Sequence, residues 1–215
     1  MKQSSVRSMP VLGLTMAVLT VVGCAEKGEI QHLDIHTKKP AAQSASTNPV
    51  KIIIEPFEDR RSEKNRVGMR RDLWGNITYF NVAGERPGDL IAEALADRLR
   101  TRGWQEQAWN ARVSRGGSTD DADIVISGQV RNFSANAVGR PFSTVIDTDS
   151  KFTIQARNLG DKSTTTQSVE AAESRTVFWF DTEDVRELLA ATLNDGIDRL
   201  VSDTMIEQKS LRPKR

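Results

Sequence analysis

The sequence predicts an α+β fold: an antiparallel sheet of about four to five strands with two helices packed on one face, set behind a signal peptide and a flexible tether. Three observations predict it. Segments 89–100 and 182–206 repeat apolar residues at helical spacing. Stretches 122–133, 143–157 and 168–180 alternate apolar and polar residues, as half-buried strands do. Ahead of them, residues 1–49 lack the pattern of a folded core.

The leader comes first. Lys2 and Arg7 give a short positive start, and an uncharged, almost wholly apolar run follows from Met9 to Val22. That run falls short of the roughly 20 residues of a spanning helix and has the length of a signal-peptide core. Val21-Val22-Gly23-Cys24 then resembles the lipobox of bacterial lipoproteins: two aliphatic residues, a small one and a cysteine. The resemblance implies cleavage between Gly23 and Cys24, diacylglycerol on the Cys24 sulfur, and acyl chains such as palmitate as the membrane partner. A thiolate is the nucleophile such chemistry needs. Each buried methylene stabilises membrane residence by about 0.8 kcal/mol, and two or three chains make a durable anchor. Ala25, where an aspartate marks inner-membrane retention in those proteins, implies the outer membrane, facing the periplasm. Cys24 is the only cysteine, so no intrachain disulfide forms.

Removing residues 1–23 takes Lys2 and Arg7 from the 30 basic side chains and nothing from the 29 acidic ones, which leaves 28 against 29. That balance argues against a nucleic-acid partner. Residues 24–49 read as the lipidated cysteine and a flexible linker, small and polar around Lys38–Pro49, with an r.m.s. span of about 25–30 Å. Leu33, Ile35 and Ile30 hint at a short ordered piece within it. His32 and His36 are spaced for one helix face, yet no acidic or cysteine partner is in register, so no metal is expected.

A single domain is expected over 50–207. Val50–Ile54 is a buried strand ended by Pro56. Residues 58–88 form a long loop, with a weak strand near 76–83. In the first helix Asp89 is the N-cap, and Gly103 supplies a left-handed stop. Trp104 then leads a short strand to Trp109. The three long strands follow, with Gly139-Arg140-Pro141 and Asn158–Asp161 as turns. Asp181 caps the closing helix, and Gly196 marks close packing on the sheet. Residues 208–215 are a basic, frayed tail.

Several of these features together resemble the YajG-like outer-membrane lipoproteins. They are the lipobox, Lys51-Ile52-Ile53-Ile54, Asp59-Arg60-Arg61 with Gly68, the run Leu99–Trp104, the strand Ala122–Ile126 and the closing helix. The arginine-rich stretch after Asp59 is longer than that pattern. That resemblance does not choose a function, and the first reading is a non-enzymatic binding or scaffold lipoprotein that contacts an envelope partner through the 58–87 loop or an open sheet face. The alternative is an accessory subunit of a lipid-transport or peptidoglycan-synthesis machine, since similar architectures occur there.

The residues themselves hold little reaction chemistry. From residue 50 onward there is no histidine or cysteine to build a hydrolytic triad. Asp120, Asp121 and Asp123 lack the ligand spacing of a calcium loop. Glu55, Glu58 and Asp59 have no separation fixed by sequence. Neither a cofactor nor a catalytic site is expected. The stretch most suited to contact is Arg60 to Phe80, where Arg60, Arg61, Arg70, Arg71 and Trp74 are the candidate binding residues for an anionic headgroup, a glycan such as peptidoglycan, or an acidic envelope protein.

Overall fold

The computed structural model describes residues 28–35, 48–84, 86–114, 116 and 121–214. Gly23, Cys24, His36 and Asp120 lie outside them. The chain forms β1 (Glu29–Leu33), β2 (Asn48–Ile54), β3 (Glu58–Asp59), β4 (Gly68–Arg71), β5 (Ile77–Val82), α1 (Pro87–Arg102), β6 (Trp109–Val113), β7 (Ile124–Arg140), β8 (Ser143–Asn158), β9 (Thr164–Val177), α2 (Thr182–Asp203), β10 (Thr204–Glu207) and β11 (Ser210–Pro213). The fold is α+β with helices on a sheet, but the sheet differs from the expected one. It has nine strands and is mixed.

β7 is its spine. One edge pairs antiparallel with β8 along its whole length, and β8 pairs antiparallel with β9. The other edge accepts β2, β3 and β4 in chain order, all parallel. β2 carries β6, also parallel. β4 carries β5 antiparallel, and β5 carries β1 parallel. β3 and β4 are short and polar, so neither shows an alternation; the backbone of β7 makes them strands.

Both helices lie on one face. Arg98 of α1 donates to Asp198 of α2 at 2.5 Å. α2 buries Val185, Leu188, Leu189, Leu193, Ile197 and Leu200 on Ile146, Phe152, Ile154 and Val169 of the sheet. Each such side chain stabilises the fold by about 1.5–3 kcal/mol. Gly196 sits where a side chain would begin 3.3 Å from Val169 and 3.4 Å from Phe152, the close packing expected of it. Asp181 caps α2 in a reciprocal box: it accepts from the Glu183 N–H, and its own N–H donates to Asp184.

Local details depart from expectation. α1 starts at Pro87, whose missing N–H costs nothing at the first helical position, and Arg86 stands at the cap in place of Asp89. Gly103 has φ −75°, so it is not a left-handed stop. It is needed for space, because a side chain there would begin 2.7 Å from the Trp109 ring. Trp104 opens a 3-10 turn and not a strand, with Gln105 and Glu106 at φ 60° and 53°. The indoles are pinned in the core: Trp104 Nε1 donates to Thr204 Oγ1 at 2.6 Å, and Trp109 Nε1 donates to the Trp104 carbonyl at 2.9 Å.

Two stretches read as lying outside the domain carry strands. β1 falls in the expected linker, with Leu33 and Ile35 buried and His32 exposed. The closing helix stops at Asp203, short of the expected 206; residues 204–207 form β10, and the expected frayed tail supplies β11, which pairs with it as a hairpin. Leu211 there is fully buried, and its N–H and carbonyl bond Asn158 at 2.8 and 3.2 Å.

Candidate functional site

The 58–87 segment is built from the outside inward. β3 and β4 lie along β7, and the chain between them crosses over Arg61. Arg61 is 6% exposed. Its Nε and Nη2 grip the Asp59 carboxylate as a fork, at 3.0 and 2.9 Å, and its Nη1 reaches the carbonyls of Arg66 at 3.0 Å and Phe133 at 3.3 Å. Burial works to raise the Asp59 pKa, and the Arg61 hydrogen bonds and charge outweigh it, so the carboxyl lies below its ordinary value. Arg61 therefore holds the loop to the sheet and is not presented to a partner.

The other candidate residues separate. Arg60 is exposed and pairs with Glu58 at 2.9 Å. Arg70 points to the helix side, its guanidinium 4.0 Å from the centre of the Phe180 ring. Arg71 and Trp74 are exposed, Trp74 at 84%. Trp74 stands on a tight turn organised by Asp72, which accepts from the N–H groups of Trp74 and Asn76 at 2.9 and 2.8 Å and from the Asn76 amide at 2.7 Å. The Asn76 side chain, first, and these N–H groups hold the Asp72 carboxyl below its usual range. The five residues thus form no single basic patch. Glu55, Glu58 and Asp59 do not converge either: Glu58 and Asp59 turn to Arg60 and Arg61, and Glu55 lines a separate cleft.

That cleft, of about 1000 Å³, lies between the ends of β2, β5 and β6 and the start of α1. Glu55, Asp89 and Glu93 line it with Arg86, which pairs with Asp89 at 2.9 Å. Among the described residues, no three His, Cys, Asp or Glu side chains are placed to hold a metal. Asp121 and Asp123 go to Lys51 and Lys209, not to an ion site.

Two further surfaces are exposed, of which the sequence reading anticipated the open sheet face and missed the second. The first is the side of β7, β8 and β9 opposite the helices. It presents Ser127, Gln129, Ser134 and Asn136 on β7, Asp147, Lys151, Thr153 and Gln155 on β8, and Thr166, Ser168 and Glu170 on β9. Thr153 and Ser168 hydrogen-bond at 3.1 Å, and Lys151 pairs with Glu170 at 2.8 Å. Asp149, in its middle, encloses one carboxylate oxygen without a hydrogen-bond partner. The second is the sheet end where β4, β7 and β9 finish, which exposes Trp74, Phe142, Phe178 and Trp179 at 82–91%. Phe178 and Trp179 read as the end of the third long strand in the sequence; β9 stops at Val177, and they fall in the turn beyond it.

No family model matches the sequence, and the YajG-like resemblance is not confirmed. No curated protein matches it. Solved structures do. A Xanthomonas campestris protein of family DUF330 aligns over 75% of this chain and 90% of its own, with 13% identity and a TM-score of 0.48. A putative neuraminyllactose-binding hemagglutinin homolog from Helicobacter pylori aligns over 83% and 94%, with 8% identity and a TM-score of 0.46. A lipoprotein from Neisseria meningitidis aligns over 68% and 97%, with 12% identity and a TM-score of 0.28. At these identities no activity or partner transfers. Among the described residues no helix is long and apolar enough to cross a membrane.

Proposed function

We propose that the chain is a lipid-anchored protein of the bacterial envelope, held on the outer membrane and facing the periplasm, which works by binding or scaffolding and not by catalysis. The observation that carries this reading is the bare sheet face. Three strands of 14–17 residues present a polar surface that neither helix covers. At about 3.3 Å per residue and 4.8 Å per strand it measures roughly 45 by 14 Å, on the order of one side of a standard protein interface. Its short Ser and Thr side chains lose little entropy on docking. The lipobox at Val21–Cys24 supports the anchor.

Two changes test this in cells. A photoreactive residue at Thr153 should capture one envelope protein in stoichiometric yield. A transporter or synthase captured there makes the chain an accessory subunit; no capture from Thr153 or Gln155 sinks the scaffold reading. Cys24→Ser should abolish lipid labelling and release the protein from the membrane fraction.

A further inference from the structure

The exposed apolar side chains are not scattered. Among the described residues, the large ones are Ile30, Met69, Leu73, Trp74, Val138, Phe142, Leu159, Phe178 and Trp179. All but Leu159 lie at or near one end of the sheet. β4 runs parallel to β7, so Arg71 beside Val138 delivers Leu73 and Trp74 to the end of β7. The Leu73 backbone nitrogen lies 2.9 Å from where a side chain on Gly139 would begin. The β7–β8 hairpin follows, with Phe142 at φ 65° and 91% exposed at its tip. β9 returns to the same end, where Val177 faces Thr144 and the next two residues are Phe178 and Trp179. Three separate turns, none continuous in sequence, therefore raise aromatic side chains along one rim.

The charges at this end are divided. Asp72 and Asp181 direct their carboxylates onto backbone N–H groups of their own turn and helix cap. Arg71 and Arg140 are exposed. Outward aromatics beside arginine are the composition of side chains that sit at the headgroup level of a bilayer.

The start of the chain chooses the occupant. β1 runs parallel to β5, and Glu29 pairs with Thr78, next to the Asp72–Asn76 turn. Gly28 is wedged there: a side chain on it would begin 2.8 Å from the Ile77 carbonyl and 2.7 Å from the Tyr79 ring. Only three residues stand between Cys24 and Gly28, and the four chain steps reach at most about 14 Å at 3.6 Å per residue. An acyl chain on Cys24 therefore enters the membrane beside this rim. The other end of β7, with Trp104, Trp109 and the β10–β11 hairpin, lies about 50 Å away at 3.3 Å per residue.

We propose that the Trp74, Phe142, Phe178 and Trp179 rim is a membrane-contact surface, which seats the domain end-on in the bilayer interface and holds the bare sheet face perpendicular to the membrane. The proposal rests on the reading of Cys24 as the anchor, and its test separates the two.

Two of the four tryptophans, Trp74 and Trp179, are on the rim, and Trp104 and Trp109 are buried at the far end. Full-length processed protein is reconstituted in phosphatidylethanolamine–phosphatidylglycerol vesicles whose acyl chains are partly brominated. Tryptophan emission should fall by roughly half. The fall should persist in high salt and vanish in Trp74→Phe/Trp179→Phe, which keeps the buried pair as a fold control. Lipid labelling of Cys24 with rim tryptophans still quenched by aqueous iodide, and not by bromine, overturns the rim and keeps the anchor. Bromine quenching without Cys24 labelling keeps the rim and overturns the anchor. Rim tryptophans shielded from both quenchers in a particle of doubled mass make the rim an interface between copies, and that also overturns the proposal.

Discussion

Arg60 and Arg61 are adjacent, identical in type and opposite in duty. Arg61 is buried on Asp59 and two carbonyls, and Arg60 stays in solvent. Arg61→Ala should lower stability by about 3–5 kcal/mol in urea unfolding, because it leaves the Asp59 carboxylate without its partner. Arg61→Lys should not restore it, since an ammonium cannot form the two-pronged grip. Arg60→Ala and Arg71→Ala should stay within about 0.5 kcal/mol. An unchanged midpoint for Arg61→Ala would show that the grip does not hold the loop. The sequence marks both arginines as polar and cannot say which one turns inward. That choice is made by the pairing of Asp59 with Val130, which lies 71 positions away. Trp74, a contact candidate in the sequence, stands exposed on its turn.

At the scale of elements, the long strands and both helices were legible, since each repeats its pattern over three turns or more. The short ones were not. β10–β11 has too few residues for a period, and its basic composition reads as solvent. What docks it is a set of polar anchors on the β8–β9 turn. Asp161 accepts from the Ser163 hydroxyl and N–H at 2.6 and 2.9 Å, then from Ser210 at 3.0 Å, and pairs with Arg212. These bonds, Ser163 foremost, lower its pKa from 3.8 to about 2. A carboxyl depressed on folding stabilises above its unfolded pKa and loses that contribution as pH falls through the folded one. Amide protection of residues 210–212 should therefore decline between pH 3.8 and about 2, and Asp161→Asn should remove that dependence. A decline unaltered in Asp161→Asn would place the acid sensitivity elsewhere.

At the scale of the molecule, the antiparallel meander was legible and the parallel half of the sheet was not. Adjacent long strands joined by tight turns announce their own pairing. β2, β3 and β4 announce nothing, because their partner is one strand more than 60 residues downstream. The rim was missed for a related reason: its aromatics come from turns at 74, 142 and 178–179, and only the common direction of β4, β7 and β9 brings them together. The placement of β7 also sets a timetable. A chain leaving a ribosome or a membrane pore N-terminus first presents residues 50–71 long before their spine exists. Those segments have no backbone partner until residues 124–140 emerge, so the first half stays extended and threadable. A chain truncated at Asp121 should remain protease-sensitive throughout, and one carried through Val177 should gain a resistant sheet. Early resistance in the shorter chain would mean that the N-terminal half folds without its spine. The strand that binds the sheet together is thus also the clock that delays it.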